Sequence, residues 1–396
     1  MKIYIFENKQ FSDFFPISTT RAVFDIRFGQ STFLERITKL FPDDSVSLIV
    51  RDSLQELVSE RHPNFDVNPN NFDDGLWISG SVIWTKENIK MLTGENTAFM
   101  KNNRLVAANL SSTKASSWVS GGGPLSSNPV NVELKNIEVY QCNYLWDIIK
   151  FIGVSINDDF QELVNIDAVD YPHIKMVNPE KIFINNAKIM PGTLINAQEG
   201  PVIIDNDVNI QGQTYIQGPV YIGTETIISP LTKIKNSVIG NNCKIGGEVE
   251  SSIIQGFSNK VHDGHLGDSY LGEWVNFGAG TSNSNLKNNY TTVKVRFNEK
   301  SVDTNSLHIG CFIGDHVKTA IGTLINTGTI IGPASMISTY GFPPTYIPPF
   351  SWYVDRKSDN MDFNKFVSTA REAQKRRNIN FSTTQEEFYK KLQIIK

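Results

Sequence analysis

"PVIIDNDVNIQGQTYIQGPVYIGTETIISPLTKIKNSVIG", Pro201 to Gly240, sets an aliphatic residue or a threonine at every sixth position, with Gly, Asn or Ser close behind. Val202, Val208, Thr214 and Val220 share one register, and Ile222, Ile228 and Ile234 share another. Ile239 at the end of the quoted stretch and Ile245 beyond it keep the spacing, and Ile313, Ile325, Ile331 and Ile337 repeat it with Thr319 in the gap. Amphipathic helices repeat every 3.6 residues and sandwich strands every two, so neither produces this pattern. A sustained hexad repeat predicts a parallel β-helix, in which each hexad gives one short strand and one corner of a triangular coil. The aliphatic side chain points inward, while Gly and Asn tolerate the left-handed backbone that corners need. Stacking about eight coils at ~4.8 Å gives a column roughly 40 Å long.

The hexads stop once, between Asn283 and His308, where "TTVKVRFNEKSV" predicts a hairpin with Val293, Val295 and Phe297 on one face and "NEKS" near its turn. Up to about residue 175 the pattern differs: short apolar runs such as "KIYIF" and "SVSLIV" alternate with helical spacing, as in "NYLWDIIKFIGV", where Leu145, Ile148, Ile149 and Ile152 share a face. That is α/β patterning. The expected organisation is an α/β domain over residues 1–175, a β-helix over 176–352 with a hairpin insertion at 283–308, and a helical tail over 353–396. Thr383 and Glu386 have the spacing of a capping box for the second tail helix.

Composition narrows the function classes. The 37 basic and 41 acidic residues leave a net charge of −4, which gives no basic field to select nucleic acid. Cys142, Cys243 and Cys311 are odd in number and far apart, as expected of buried thiols in a cytoplasmic protein. The start "MKIYIFENKQ" lacks the regions of a signal peptide, and no uncharged apolar window is long enough to predict a membrane span.

Chemistry concentrates in "KVHDGHLGD", Lys260 to Asp268, which holds two of the chain's six histidines. A column of strands has little concavity, so a site is expected in grooves between neighbouring columns, commonly three. The hairpin begins about one coil later and is expected to project over the histidines. Three roles compete for His262 and His265: a base that takes a proton from an amine, a zinc ligand together with His308 and His316, or a polar corner.

The pieces "SNKVHDG" (Ser258 to Gly264), "GEWVNFGAGT" (Gly272 to Thr281), "NSNLKNNY" (Asn283 to Tyr290) and "GFPPTYIPPFSW" (Gly341 to Trp352) resemble the bifunctional N-acetylglucosamine-1-phosphate uridyltransferase/glucosamine-1-phosphate acetyltransferase family, in its divergent branch. The resemblance implies a Rossmann-like nucleotidyltransferase half and a left-handed hexapeptide β-helix that acetylates an amino-sugar 1-phosphate as a homotrimer. It implies His262 as the base, Asn276 and Asn285 on the sugar, and Ala279 and Gly280 along the acetyl-CoA channel. The better-known members hold the sugar phosphate with a lysine about twelve residues before the base, where this chain has Glu250. Lys260, Lys287, Lys294 and Arg296 are the expected substitutes, and Arg376, in the basic run of the tail, is the expected contact for the phosphates of coenzyme A.

For the first half, "PISTTRAVFDIRFGQSTFLERI" (Pro16 to Ile37) resembles the "TRPVADIRVG" segment of the same branch. Thr20, Arg21, Asp25 and Arg27 are the expected nucleotide-binding residues, with UTP or dTTP as the nucleotide and Mg²⁺ required if the site is active. Ser81 stands where a metal-binding Asp is expected, and a hydroxyl replaces a carboxylate poorly on Mg²⁺. Three alternatives stay open: a nucleotidyltransferase with a purely structural β-helix, a zinc-dependent trimeric hydrase, and a non-enzymatic scaffold.

Overall fold

The apolar run Lys2–Phe6 (β1) lies inside a seven-stranded sheet that also holds Ser45–Ile49 (β2), Asp66–Val67 (β3), Gly75–Ser79 (β4), Thr97–Lys101 (β5), Arg104–Leu110 (β6) and Glu133–Asn136 (β7). The strand order is β7-β5-β6-β4-β1-β2-β3. Strand β1 runs parallel to β2 and β4, and β6 runs antiparallel to both its neighbours. The computed structural model describes residues 1–163, 171–297 and 300–395. By contact the chain divides into two units: Met1–Phe14, Ser18–Ile26 and Ser31–Tyr144 form the first, and Phe15–Ile17, Arg27–Gln30 and Leu145–Lys396 the second.

In the first unit, helix α1 (Phe33–Lys39) starts on a capping box: the Glu35 amide donates to Thr32 Oγ1 at 3.2 Å and the Thr32 amide to Glu35 Oε2 at 2.6 Å. Phe33, Leu34 and Ile37 turn inward at helical spacing. On the sheet, Tyr4 stacks on Trp77 with centroids 4.4 Å apart, and Phe6 and Trp118 join the same core.

The second unit is the expected β-helix. Its first wall stacks Lys188–Ile189, Asn209–Ile210, Ile227–Ile228, Lys244–Ile245 and Asn259–Lys260 as parallel strands, then passes through Asn276 to Lys318–Thr319 and Met336–Ser338. Asn209 pairs with Ile227, eighteen residues on, which is one coil of three hexads. The second wall includes Glu248–Glu250 and His265–Gly267, and the third Ile253–Gly256, Tyr270–Glu273 and Cys311–Ile313. Every aliphatic residue of the hexad series, from Val202 to Ile337, is buried in one core, and Thr214 and Thr319 are buried at their slots.

The insertion forms its hairpin, with Lys294–Phe297 antiparallel to Lys300–Asp303 and Val293, Val295 and Phe297 buried. Asn298 and Glu299, at its expected turn, lie outside the described residues. Leu145–Lys150 (α2) and Ile152–Glu162 (α3) carry the predicted apolar face, and Trp146 meets Phe312 of the third wall at 5.7 Å. The tail folds as Phe363–Lys375 (α4) and Thr383–Ile395 (α5). The capping box of α5 forms one residue earlier than its spacing predicted: the Gln385 amide donates to Ser382 Oγ at 3.0 Å and the Ser382 amide to Gln385 Oε1 at 3.1 Å. Helix α4 sets Phe366, Val367, Ala370 and Gln374 inward, and Phe366 packs on Phe350 at 5.1 Å.

Candidate active site on the β-helix and the buried network of the first unit

Where the first wall turns into the second, the corners of successive coils stack into one edge. The Glu248 amide donates to Gly264 O at 3.2 Å, Gly280 to Asp263 O at 3.2 Å, and Gly322 to Ala279 O at 2.7 Å. His262 is exposed on this edge, with half-buried Ala279 and exposed Gly280 one coil on. Gly280 has φ +74°, a left-handed corner that glycine adopts without strain. The expected base and the expected acetyl-CoA channel therefore lie on one edge.

Lys260 is not beside them on the surface. It pairs with Ile245, so it fills an inward slot of the first wall, 2% exposed. Its Nζ donates to Gly246 O at 2.7 Å and His262 O at 3.0 Å, tying the corner that carries His262. Burial pushes the ammonium down to about 8, against the pull of Asp263 and Glu248. In the unfolded chain a lysine titrates near ~10.4. Between those values the unfolded chain binds more protons than the folded one, so stability rises with pH, by at most about 1.4 kcal/mol per unit from this group. Lys260→Met should remove that rise: denaturation midpoints of mutant and wild type, compared at pH 7.5 and pH 10, should diverge in favour of the wild type. Parallel curves would refute the buried position.

A second polar cluster sits where the second wall meets the third. Asn285 Nδ2 donates to Asp268 Oδ2 at 2.6 Å, and the Asp268 amide donates to Glu250 O at 3.1 Å. The His265 ring lies against Gly267, where an added Cβ would meet its Nε2 at 2.5 Å and Asn285 Nδ2 at 2.9 Å. His308 returns at the hairpin base, bridged as Leu286 to His308. Burial pushes the Asp268 carboxyl up; the Asn285 bond and the nearby histidines oppose this, and Glu250 adds to it. Asp268 was not singled out from the sequence, where only its place in "LGD" marked it.

Asn276 is on the first wall, beside a cavity of about 430 Å³ that helix α4 closes. A lone column has little concavity; the tail supplies it. Arg376 lines this cavity, as do Lys318, Phe257 and Trp274, none of which the sequence singled out. Lys318 Nζ donates to Trp274 O at 2.6 Å, and burial pushes it down to about 8.

The hairpin's cations are dispersed. Lys287 Nζ donates to Thr292 O at 2.6 Å within the insertion, and Lys294 and Arg296 point away from its buried face. That face packs toward the third wall, with Phe297 stacked on Phe15 at 6.3 Å.

In the first unit, Thr20, Arg21 and Asp25 are all buried. His62 Nε2 lies 2.7 Å from Asp25 Oδ1 and Arg61 Nη1 3.1 Å from Oδ2; burial alone would raise this carboxyl, but these partners hold it below the usual range. Glu7 and Arg51 form a second buried pair, with contacts of 2.7 and 2.9 Å, that the sequence did not signal. In the second unit, Arg27 donates by Nε to Gln255 O at 3.0 Å and by Nη1 to Gln30 O at 2.5 Å. Ser79 and Ser81 are buried with their hydroxyls 3.1 Å apart. They offer Mg²⁺ no carboxylate, so the residues at this position do not fit the ion. Among the described residues no three His, Cys, Asp or Glu side chains group as metal ligands; His316 stacks instead on Trp274, among Phe366 and Tyr389 of the tail. All three cysteines are buried, and burial pushes Cys243 and Cys311 up to about 12, too high to act as thiolates.

Residues 3–166 match the family model described as sugar nucleotidyl transferase. A bifunctional sugar-1-phosphate nucleotidylyltransferase/acetyltransferase of Sulfurisphaera tokodaii is 39% identical over 142 residues, covering 35% of each chain. The bifunctional protein GlmU of Rippkaea orientalis is 29% identical over 187 residues, covering 36% of this chain and 41% of its own. That of Thermotoga petrophila is 24% identical over 264 residues, covering 55% of each. The matches thus span about a third to a half of the length of these relatives. The resemblance stated from the motifs is borne out.

Proposed function

We propose that this chain is a two-site transferase, whose β-helix moves an acetyl group from acetyl-CoA to the amine of an amino-sugar 1-phosphate, and whose first unit transfers a nucleotidyl group from UTP or dTTP to a sugar 1-phosphate. The observation that carries the first half of this is the single edge on which exposed His262 stands one coil from Ala279 and Gly280. A neutral imidazole near pH 7 takes the proton as the amine adds to the thioester carbonyl; the tetrahedral adduct then expels the coenzyme A thiolate. Backbone N–H groups along the edge would polarise that carbonyl. No acyl-enzyme is needed, in keeping with three buried thiols. Asn285, held by Asp268, would meet the sugar, while Glu250 and Asp268 would repel a phosphate there, so its countercharge would have to come from the exposed Lys294 or Arg296 of the hairpin.

The working unit is a homotrimer. Met190, Leu231, Ile321 and Tyr340 each follow a first-wall strand and are exposed, Ile321 by 80% and Tyr340 by 88%. They share the edge of His262, so columns that cover this apolar row enclose the base. A second reading for the first unit, a sugar-binding or docking domain without turnover, is favoured by the burial of Thr20, Arg21 and Asp25.

Two assays test this. Thiol release from acetyl-CoA with glucosamine-1-phosphate reports the first activity, and pyrophosphate release from UTP or dTTP with N-acetylglucosamine-1-phosphate, with and without Mg²⁺, reports the second. Both signals are expected. Thiol release alone would leave the docking reading for the first unit, and pyrophosphate alone would make the column structural.

A further inference from the structure

We propose that Asp268 is a positioning residue: it holds the Asn285 amide with its oxygen outward, so that this corner takes a sugar hydroxyl rather than a phosphate oxygen. The inference rests on the acetyl-transfer reading, with the acceptor on the second wall. A carboxylate only accepts hydrogen bonds, so Asn285 has to turn its NH₂ toward Asp268, and the 2.6 Å bond from Nδ2 to Oδ2 is that contact. The amide oxygen is thereby faced away. Among the described residues nothing donates to Asn285 Oδ1, and the atom is not sealed from solvent, so it is open to a ligand that brings a donor.

The surroundings keep that orientation. The Asp268 amide donates to Glu250 O at 3.1 Å and the Gly310 amide to Asp268 O at 2.8 Å, which pins the residue between two coils. The Ile309 amide donates to Asn285 O at 2.9 Å and ties Asn285 to the returning end of the hairpin insertion. Between them lies Gly267, fastened by both amide groups of Asn283: Gly267 N donates to Oδ1 at 2.9 Å, and Nδ2 donates to Gly267 O at 3.0 Å. A side chain at this glycine would strike the His265 ring and the Asn285 amide. The strand His265–Gly267 leads from the corner of His262 to Asp268, about 10 Å at ~3.3 Å per extended residue. An acceptor laid along it puts its amine at His262 and a hydroxyl at Asn285. The charges agree, since Glu250 and Asp268 act on this corner together, with His265 and His308 as the other titratable groups around it.

Protonation removes the compulsion. A neutral carboxyl donates as well as accepts, so the Asn285 amide can turn over and present Nδ2 instead. Burial raises the Asp268 carboxyl, so the loss begins at a higher pH than for an ordinary carboxylate. Asp268→Asn tests this directly, because it keeps the shape and an acceptor for Asn285 but no longer has to accept. Calorimetric titration with glucosamine-1-phosphate, with coenzyme A present, is made from pH 8 to pH 5 on wild type, Asp268→Asn, Asn285→Ala and the double variant, with thermal midpoints as the folding check. Asp268→Asn should weaken binding about 10-fold at pH 8, and the gap should close as pH falls through the Asp268 titration. The substitution should add nothing in the Asn285→Ala background. Glucosamine should show the same gap, because the contact is to a hydroxyl; a gap confined to the phosphate ester overturns that assignment. Equal affinity of wild type and Asp268→Asn at every pH overturns the role, as does a gap that ignores pH or survives in Asn285→Ala. Were Asp268→Asn to lose its fold, the wild-type gap over Asn285→Ala must close with falling pH in the same way, and a constant gap overturns the role. Thiol release from acetyl-CoA is read separately. If wild type releases none, the acetyl-transfer reading falls while the affinities still decide the role of Asp268. No binding of glucosamine-1-phosphate by wild type overturns the role, whatever thiol release shows.

Discussion

Replacing His262 by alanine should lower acetyl transfer by about 10²–10⁴-fold, the usual contribution of a positioned base. The side chain is exposed and no hydrogen bond from the described residues reaches its ring, so the folding free energy should stay within about 0.5 kcal/mol of wild type. Thiol release from acetyl-CoA at saturating sugar, together with a denaturation curve, checks both halves. Pyrophosphate release by the same protein should be unchanged. The informative control is His265→Ala, whose ring packs against Gly267 beside Asn285. Full activity in His262→Ala with a collapse in His265→Ala would move the base to the second cluster, where Asp268 and His308 are its neighbours.

The second large effect concerns the edge itself. Leu231→Asp combined with Ile321→Asp places two carboxylates on the apolar row of the first-to-second-wall edge, each replacing a side chain worth about 1.5–3 kcal/mol when buried. Columns that meet through this row should separate, with the mass by light scattering falling from three chains to one and acetyl transfer falling at least ~100-fold, because water then floods the base and the thioester. Pyrophosphate release should persist. An unchanged mass, or a monomer that still acetylates at the wild-type rate, would show that the row covers something else.

Much of the column was legible because its physics is periodic. Each inward slot must be filled by a side chain that fits a dry prism, and Ile228, Ile234 and Ile245 announce those slots at fixed intervals. Lys260 escaped because the coil there is short: Ile245 pairs with a residue fifteen positions on, not eighteen, so a count in sixes loses register. Composition misled as well, since an isolated lysine reads as surface, and the carbonyls at Gly246 and His262, with the charges of Asp263 and Glu248, make its burial tolerable. The cavity was illegible for a different reason. It arises where helix α4 folds back over Asn259 and Asn276, 87 to 116 residues earlier in the chain, and no local pattern encodes that return. In the N-terminal segment Arg21 and Asp25 were marked as chemically interesting, and the structure gives Asp25 the partners Arg61 and His62; charge in the sequence shows that a group must be satisfied, not what satisfies it.

Acetyl transfer at the His262 edge is the central claim, and the most direct measurement is to incubate the protein with acetyl-CoA and a panel of amino-sugar 1-phosphates and locate the acetyl group by mass spectrometry. It should appear on the nitrogen of one sugar phosphate, with none carried on the protein. Acetyl groups found only on unreacted coenzyme A, or trapped on a protein side chain, would contradict it.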